Sequence, residues 1–409
     1  MRIDRFEMER TQCLYENMVD FNLSESGVLP LQVGEIIEGV KDADWLKSLP
    51  MKYPPANGSE ILRERIAAFY GAGATRDHVL VQNGGSEANF TTLWGLLEKG
   101  DRVAVMIPNY LQARGLARAF GSGADPFRLV ESQGAAGARR WALDLDSLKR
   151  AVTRKTRVIL VTNPNNPTGA VLTEEEMDAI VRAARRSGAY IVSDEVYRGA
   201  ELDGRTTPTF WGRHDKVLVT AGLSKAFGLP GLRTGWILGP PKLIARLWGY
   251  HDYTTLTPTY LSDQLATIVM EPARRDQIIA RTRRILKTNL PRLESWIKGH
   301  GEIFDYIPPV AGAIVLVRYD LPIASVALFD KLRLERSVLI TPGAHFGIGR
   351  YIRFGYGYDL DYTLKGLARV DRTLAELKDR RPAARGNGRS RSAAARPAAR
   401  RRSRSLQTT

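Results

Sequence analysis

The fold class is indicated most clearly by KVLVTAGLSKAFGLPGLRTGWILG, residues 216–239. It contains two apolar runs, KVLVTAG (216–222) and TGWILG (234–239), joined by a turn rich in Gly. Because the apolar residues of each run are mostly consecutive rather than alternating, both runs are typical of strands buried on both faces. The turn between them carries Lys225 and Arg233. The stretch therefore predicts two strands of a central sheet, with a lysine and an arginine at their ends.

Four further apolar runs precede this stretch and alternate with amphipathic, helix-like segments. Because strands that alternate with helices usually lie parallel in one sheet, this order predicts the α/β class, with a mostly parallel central sheet flanked by helices. Thr173 and Glu176 form a capping box that predicts the start of one helix, and Gly188 predicts its end. The runs are HVLVQ (78–82), RVAVMIP (102–108), RVILVTNP (157–164) and AYIVSDE (189–195).

The pattern of strand-like and helix-like segments changes after Pro258, where a long helical stretch leads to AGAIVLVRYD and then to YIRFGYG. This order predicts a smaller α+β unit beside the large one. We expect residues 1–45 to pack with the small domain, 46–270 to form the large domain and 271–380 to form the small one. Residues 381–409 contain nine Arg, no Asp or Glu and almost no large apolar side chain, which predicts a disordered tail.

The composition of the 409 residues is typical of a soluble globular protein, with 44% apolar and 25% charged residues. It excludes a wholly disordered or fibrous chain. No run approaches the roughly 18 apolar residues of a membrane helix, and the charged start MRIDRFEMER differs from a signal peptide. We therefore expect a cytoplasmic protein without a membrane partner. The single Cys13 and five scattered His exclude an intramolecular disulfide and offer no zinc spacing, so we expect no metal.

The net charge of +16 raises the question of a nucleic-acid partner. The nine Arg of the tail account for more than half of this charge and leave about +7, an ordinary value, for the first 380 residues. We therefore expect no nucleic-acid partner for the folded part of the chain, and only the basic tail leaves one open.

Two turns that follow strands have the chemistry of ligand sites. NGGSEANF (83–90) opens a helix with Gly85 and Ser86, where free backbone N–H groups and the positive end of the helix dipole suit a phosphate. TNPNNPTG (162–169) closes a rigid turn at the carboxyl end of a strand, where α/β proteins bind ligands, and Asn166 offers donors and acceptors there. Taken singly, each motif is also explained by turn formation alone.

Two further motifs carry charged groups. SDEVYRG (193–199) ends a strand with Asp194, a position that is unfavourable for a carboxylate unless a cation or several donors face it, so we expect a positive group there. A helix cap is the alternative explanation. Lys225, among apolar neighbours, is easily deprotonated and can attack a carbonyl to form an imine, whereas Arg233 supplies a forked donor for phosphate.

Together, SKAFGLPGLRTGW, NPNNPTG and SDEVYRG resemble the class I/II aminotransferases, which are fold-type I enzymes that use pyridoxal 5′-phosphate (PLP). The resemblance covers about residues 20–380, and the spacing of 28 residues from Asn166 to Asp194, and again from Tyr197 to Lys225, adds weight to it. It implies the fold-type I architecture, in which a mostly parallel sheet is flanked by helices and joined to a smaller α+β domain.

The resemblance implies a role at the cofactor for each matching residue. Lys225 would hold the cofactor as an imine and, once displaced by the substrate, act as the base that moves the substrate proton. Asp194 would pair with the ring nitrogen and keep it protonated, while Asn166 and Tyr197 would hydrogen-bond the ring oxygen. Gly85, Ser86, Ser224 and Arg233 would hold the phosphate, and Tyr110 would stack on the ring.

The resemblance also extends to the substrate and to a second subunit. Arg353, in YIRFGYG, matches the carboxylate-binding arginine of the family, and Asn166 would contact the substrate as well. Tyr53, in MKYPPANG, matches the tyrosine that family members send across a dimer interface to the phosphate of the neighbouring subunit. The resemblance therefore implies a homodimer with two shared active sites.

Two features depart from the pattern of the family. Gly222 stands three residues before the lysine, where many relatives have a Ser or Thr that binds the phosphate, so Ser224 or Thr220 must compensate or a bond is lost. The segment FNLSESGVLPL (21–31) lacks the usual short glycine-proline pattern. Its core NLSESGV is similar to a subgroup that includes capreomycidine synthase, which turns a hydroxylated arginine into a cyclic product. This segment should border the substrate.

The resemblance implies an aminotransferase that moves an amino group between an α-amino acid and a 2-oxo acid by a ping-pong mechanism. The alternative within the family is a cyclase, β-eliminase or oxidase of a basic, arginine-like amino acid, because these reactions share the electronics of the cofactor. A PLP-sensing transcription factor is disfavoured, because aminotransferase-like sequence begins by about residue 20 and leaves no room for a preceding DNA-binding module.

Overall fold

A computed structural model describes residues 3–38, 44–134 and 137–378 of the chain. The strands are β1 (Phe21–Asn22), β2 (Val79–Gln82), β3 (Arg102–Ile107), β4 (Gly123–Gln133), β5 (Arg139–Leu143), β6 (Thr156–Thr162), β7 (Tyr190–Asp194), β8 (Val217–Gly222), β9 (Gly235–Leu238), β10 (Phe304–Tyr306), β11 (Ile314–Tyr319), β12 (Val338–Leu339), β13 (Thr341–Pro342) and β14 (Tyr351–Gly355). The α-helices are α1 (Glu7–Tyr15), α2 (Val33–Ile37), α3 (Trp45–Ser48), α4 (Glu60–Tyr70), α5 (Gly85–Leu96), α6 (Gln112–Ala119), α7 (Leu145–Ala151), α8 (Glu174–Ser187), α9 (Pro241–His251), α10 (Tyr260–Val269), α11 (Pro272–Gly299), α12 (Ser325–Arg336) and α13 (Leu360–Lys378).

A central sheet of eight strands, in the order β2-β9-β8-β7-β6-β3-β4-β5, confirms the predicted α/β class. The neighbours from β8 through β7, β6 and β3 to β4 are paired parallel, whereas β9 is antiparallel to both β2 and β8 and β5 is antiparallel to β4. The link from β8 to β9, residues 223–234, contains turns and no α-helix, so the chain reverses there without the helical crossover that usually joins a parallel pair. The sheet is therefore mostly parallel, with two reversed strands.

The six apolar runs of the sequence coincide with β2, β3, β6, β7, β8 and β9, and they are buried on both faces of the sheet. Val103 and Val105 of β3 pack into a core with α5 and α9, while Ala104 and Met106 belong to the opposite core with α8. Fully burying an aliphatic side chain contributes about 1.5–3 kcal/mol, so this two-sided burial holds the strands, and hence their carboxyl ends, in fixed positions.

The sequence analysis did not predict β4 and β5. Burial alternates in the middle of β4, where Phe127 and Leu129 are buried and Arg128 is exposed, so the strand has no consecutive apolar run. This alternation is typical of a strand with one solvated face near the edge of a sheet. The pattern used to find the buried strands therefore could not find this one.

A smaller antiparallel sheet in the order β10-β11-β14-β13 forms a second layer with α11, α12 and α13. β1 pairs parallel with β12, so Phe21 and Asn22 are held against the C-terminal part of the chain. The predicted domain limits stay a prediction, and the tail 381–409 lies outside the described residues.

Local signals place two of the helices. Thr173 caps α8, since its hydroxyl accepts from the N–H of Glu176 and Glu176 accepts from the N–H of Thr173, and Gly188 ends the helix in the left-handed conformation, so this capping box is confirmed. The long helical stretch after Pro258 is divided into α10 and α11, with Pro272 in the first turn of the second helix. Within the described ranges, none of the helices has both the length and the apolar character needed to cross a membrane.

Candidate active site

A cavity of about 200 Å³ lies at the carboxyl ends of the parallel strands, where α/β sheets bind their ligands. One wall comes from the turns after β6, β7 and β8, another from the start of α5, and a third from α1. Nine of the predicted site residues line this cavity: Gly85, Ser86, Tyr110, Asn166, Asp194, Tyr197, Ser224, Lys225 and Arg233. Their roles stay predictions, but their common location is a property of the fold.

The turn between β8 and β9 positions Lys225. The N–H of Leu223 donates to the carbonyl of Thr234 at 3.0 Å, and the N–H of Gly228 donates to the carbonyl of Lys225 at 3.2 Å. These bonds close the turn on both sides of the lysine, whose amine points to the cavity. About a quarter of the Lys225 side chain is exposed, so the amine is accessible to a small molecule and is not fully solvated.

Arg233 lies against the start of α5. Gly84 has a φ of 96°, and a Cβ added there would lie 2.4 Å from Nη2 of Arg233, so only glycine allows the guanidinium to come this close. Gly85 and Ser86 follow as the first residues of α5, with N–H groups that have no partner within the helix. A guanidinium beside free helix N–H groups is suited to a phosphate.

The glycine at position 222 is required by packing. A Cβ on Gly222 would lie 2.8 Å from the carbonyl oxygen of Thr234 and 3.2 Å from the Cα of Gly235. Of the two residues predicted to compensate, Ser224 lines the cavity, whereas the hydroxyl of Thr220 is buried and donates to Oδ1 of Asn89 at 2.6 Å. Ser224 is therefore the candidate phosphate ligand of the pair.

Asp194 ends β7 with its carboxylate at the cavity, and Asn89 supports it. Nδ2 of Asn89 donates to Asp194 at 3.2 Å, and the N–H of Val196 donates at the same distance. Because Thr220 donates to the other end of the Asn89 side chain, the orientation of that amide is fixed. Asn89 was not predicted as a site residue, since a lone Asn on a helix has no sequence pattern that indicates a functional role.

Burial raises the pKa of Asp194, and among the described residues no cation forms an ion pair with it. The expected positive group is therefore not among the residues that the structure describes. A carboxylate in this position is suited to a cation brought by a ligand, and a protonated ring nitrogen has the right charge. Glu195, the next residue, points to the other face of β7 and accepts from Ser193, Thr209 and Phe210.

Two tyrosines line the cavity. The hydroxyl of Tyr110 is 3.5 Å from Oγ of Ser86, and its ring packs edge-to-face on Phe6 with centroids 4.8 Å apart. Tyr197 is buried, and burial raises the pKa of its hydroxyl. Burial raises the pKa of the Tyr110 hydroxyl as well, so both hydroxyls are neutral donors at physiological pH.

Arg353 lies behind the cavity and does not line it. It is fully buried on β14, where Nη1 donates to Oδ1 of Asn166 at 2.8 Å and Nη2 donates to Oγ1 of Thr341 at 3.1 Å and to the carbonyl of Ser24. Its Nε has no hydrogen-bond partner among the residues that the structure describes. The predicted arginine therefore reaches the cavity through Asn166.

Tyr53 is also outside the cavity, with 81% of its surface exposed. It shares a neighbouring surface hollow with Arg233, one of the residues predicted to hold a phosphate. A second subunit is not part of the structure, so the predicted role of Tyr53 across a dimer interface stays a prediction.

Several residues at or beside the cavity were not predicted individually. Glu25 contacts Lys225 and lies in the segment NLSESGV, which was expected to border the substrate. Met8, Glu9 and Gln12 come from α1, which covers the cavity. The weak pattern of α1 contains no signal for this position, because it is set by contacts such as that of Gln12 with Ser24.

The family model described as aminotransferase class I and II matches residues 22–369. This range covers most of the chain and includes every predicted site residue.

Among individual relatives, capreomycidine synthase from Streptomyces vinaceus is 29% identical over 359 residues, which cover 86% of this chain and 89% of the relative. An aspartate aminotransferase from Streptomyces avermitilis is 27% identical over 346 residues, covering 80% and 83%. Among solved structures, a PLP-dependent aminotransferase from Streptococcus suis has a TM-score of 0.84 at 28% identity and covers 92% of this chain and 99% of that one.

Proposed function

The chain belongs to the class I and II aminotransferase family, and we propose from this premise that it is a PLP-dependent aminotransferase. It would move an amino group between an α-amino acid and a 2-oxo acid by a ping-pong mechanism. One relative is named an aminotransferase and another a synthase, and their identities to this chain are similar. The support for one reaction over the other therefore comes from the residues of the site.

The observation that carries the proposal is the pairing of an amine and a carboxylate across one cavity. Lys225 presents Nζ on one side, and Asp194 presents a carboxylate without an ion-pair partner among the described residues on another. A ligand that offers an aldehyde to the amine and a protonatable ring nitrogen to the carboxylate satisfies both groups, and PLP has both. The residues present therefore fit this cofactor.

The other cavity residues supply the remaining contacts that PLP needs. Arg233 and Ser224, with the N–H groups at the start of α5, would hold its phosphate, and Tyr110 would pack on its ring. Asn166 and Tyr197 would hydrogen-bond its ring oxygen. When bound, PLP supplies an electron sink that makes the Cα–H bond of an amino acid acidic.

The protein provides the proton transfer and the orientation of the substrate. Nζ of Lys225 would take the proton from the substrate Cα, because it is the basic group at the cavity that a substrate amine can displace. Arg353 would bind the substrate carboxylate with Asn166, since a buried guanidinium whose Nε is unpartnered among the described groups can satisfy an anion. Asp194 would keep the ring nitrogen of PLP protonated, on the side of the cavity away from Lys225.

A homodimer with shared sites is part of this proposal. Tyr53 is exposed beside Arg233, so a tyrosine from a second copy could reach the phosphate side of the cavity by the same surface. The proposal assigns this tyrosine to the neighbouring site and not to its own.

A second candidate is a cyclase, β-eliminase or oxidase of a basic amino acid. Three carboxylates lie at the side of the cavity formed by α1 and the NLSESGV segment: Glu9 lines the cavity, Glu25 contacts Lys225, and Glu16 is close to both. Burial and repulsion from Glu25 and Glu9 raise the pKa of Glu16. Such a group of negative charges favours a cationic substrate side chain, and the similarity to capreomycidine synthase points the same way.

One experiment separates the candidates. The purified protein is loaded with PLP and mixed with single amino acids, with and without 2-oxoglutarate, while absorbance and products are followed. An aminotransferase converts the absorbance to that of the aminated cofactor and returns it when a 2-oxo acid is added. A product that needs no 2-oxo acid supports the second candidate, and the absence of any reaction with all amino acids contradicts both. Lys225→Ala is the matched control.

A further inference from the structure

The carboxylate of Glu25 forms an ion pair with the amine of Lys225. Oε1 of Glu25 accepts from Nζ at 2.9 Å, and the same oxygen accepts from the backbone N–H groups of Ser26 at 2.8 Å and Gly27 at 2.7 Å. Three donors thus converge on one oxygen, and about a quarter of each of the two side chains is exposed. The carboxylate is held in one place, and the lysine amine is bound to it.

The segment that carries Glu25 is fixed by the C-terminal strands. The N–H of Leu23 donates to the carbonyl of Leu339, and the N–H of Gly355 donates to the carbonyl of Leu23, both at 2.8 Å. A Cβ on Gly355 would overlap the carbonyl oxygen of Glu25 at 1.9 Å, so the two backbones are in close contact. The position of Glu25 is therefore set by long-range packing and not by a mobile loop.

The electrostatic balance around this pair favours a protonated lysine. Burial alone would lower the pKa of Lys225, but the charge and hydrogen bond of Glu25 outweigh it and raise that pKa above its ordinary value. Burial would raise the pKa of Glu25, and the neighbouring amine instead lowers it to about 2. The other titratable or charged groups that face the pair are Tyr197 after β7, Arg353 on β14, Glu16 after α1 and Tyr358 after β14.

We propose that Glu25 is a positioning residue for Lys225: its carboxylate fixes the lysine nitrogen at the cavity and favours the protonated form of that nitrogen. This inference rests on the proposed function, because it assigns Lys225 the proton transfer. A base must be neutral to accept a proton, so a carboxylate bound to it delays its action. A cationic group of the substrate that takes over Glu25 would remove this stabilisation, so that the lysine, about a quarter of whose side chain is exposed, would lose its proton to solvent and become a free base.

The first test follows the lysine itself, without cofactor. The cofactor-free protein is treated with an amine-acylating reagent at a series of pH values, and the modification of Lys225 is measured by peptide mass spectrometry. Replacing Glu25 by Gln keeps the size of the side chain and removes its charge. The midpoint of modification should fall by at least about one pH unit, which raises the modification rate about tenfold below the midpoint.

Two further variants control this test. Glu16→Gln removes a nearby carboxylate that makes no hydrogen bond to Lys225, and its midpoint should move much less. Glu25→Asp keeps the charge but shortens the side chain, so it should give an intermediate midpoint and serves as the probe should Glu25→Gln not fold. An unchanged midpoint in Glu25→Gln, or equal shifts in Glu25→Gln and Glu16→Gln, overturns the proposal.

The second test uses the protein loaded with PLP, whose absorbance reports the protonation of the nitrogen that links it to Lys225. The absorbance change with pH should move to lower pH in Glu25→Gln and stay in place in Glu16→Gln. If the wild-type protein fails to attach PLP at Lys225, the proposed function is wrong, while the acylation test still decides the role of Glu25. The two failures are therefore distinguishable.

Discussion

Arg353 and Asn166 are joined by a hydrogen bond of 2.8 Å, although 187 residues separate them in the chain. One residue lies on β14 and the other in the turn after β6, so the bond connects the small antiparallel sheet to the central sheet at the cavity. Because both side chains are buried, a carboxylate that binds here replaces bonds inside the protein instead of bonds to water. This arrangement makes the pair sensitive to small changes of geometry.

Replacing Arg353 by Lys should therefore weaken substrate binding. The planar fork that donates to Asn166, Thr341 and Ser24 is lost, and an ammonium cannot replace its bidentate geometry. We expect a loss of about 2 kcal/mol, roughly a 30-fold rise of KM, with a smaller change of kcat. Steady-state kinetics with the preferred amino acid give both values, and a normal KM would contradict the assigned role.

Replacing Lys225 by Ala should abolish turnover and leave the fold intact. The side chain is partly exposed at the cavity, and its removal leaves the packing of β8 and β9 unchanged. The measurement is reduction of the PLP-loaded protein with borohydride followed by peptide mass spectrometry, with circular dichroism as the control for folding. The wild-type peptide should carry the cofactor mass and the variant should not, whereas equal activity of the two proteins would end the proposal.

Introducing the Ser that many relatives have at position 222 should harm this protein. Gly222→Ser places a Cβ 2.8 Å from the carbonyl of Thr234, so β8 or β9 must shift. We expect a loss of about 1–3 kcal/mol in the free energy of unfolding and no gain in PLP affinity. Denaturant titration and cofactor titration measure these, and Gly249→Ser, which has no neighbour within 4 Å of its Cβ, is the control. A variant with tighter PLP binding and normal stability would refute this explanation.

The stability of the protein should depend on pH through Glu195. Burial raises the pKa of Glu195 to about 7, while the same group in an unfolded chain titrates at about 4.3. Between these values the folded chain binds more protons than the unfolded one, so this contribution to stability is present at low pH and is lost as the pH rises to about 7.

Glu195→Gln removes this term. Relative to the wild type, the variant should gain on the order of 2 kcal/mol in the free energy of unfolding between about pH 5 and about pH 8. Denaturant titrations at both pH values measure the change, with the exposed Glu98→Gln as control. An equal difference at both pH values would show that Glu195 is ionised alike in the folded and unfolded states.

Mixed dimers should test the position of Tyr53. Chains with Tyr53→Ala and chains with Lys225→Ala are each expected to form defective homodimers at limiting PLP. If the tyrosine serves the neighbouring site, a mixed dimer has one intact site, because one chain supplies the lysine and the other the tyrosine. Random mixing should then restore about a quarter of the wild-type activity. No restoration would place Tyr53 at the site of its own chain.

Sequence patterns predicted the parts of the fold that are locally encoded. Strands buried on both faces have consecutive apolar residues, so all six of these runs are strands in the structure. The reversed direction of β9 depends on the turns that join it to β8, and the alternation in β4 depends on its position near the sheet edge; an apolar run reports neither. The same holds for the helical stretch after Pro258, where the division between α10 and α11 was not predicted.

The candidate site divides in the same way. Motifs next to strands predicted the lysine, the aspartate and the arginine of the cavity, because the carboxyl ends of parallel strands meet at one edge. Asn89 and the residues of α1 reach the cavity, and Glu25 reaches Lys225 beside it, through contacts between distant parts of the chain, such as the bond from Gln12 to Ser24. No local pattern reports such contacts. The unusual NLSESGV segment was nevertheless expected to border the substrate, and it carries Glu25.

The bonds of Leu23 to Leu339 and Gly355 also bear on how the protein is made. During synthesis Lys225 leaves the ribosome well before β12 and β14, the strands that hold Glu25 in place. A nascent chain therefore displays the lysine amine before its carboxylate partner is fixed, and the segment around Glu25 is placed only when the last strands have been added. Assembly of this site is a late event in the biogenesis of the chain.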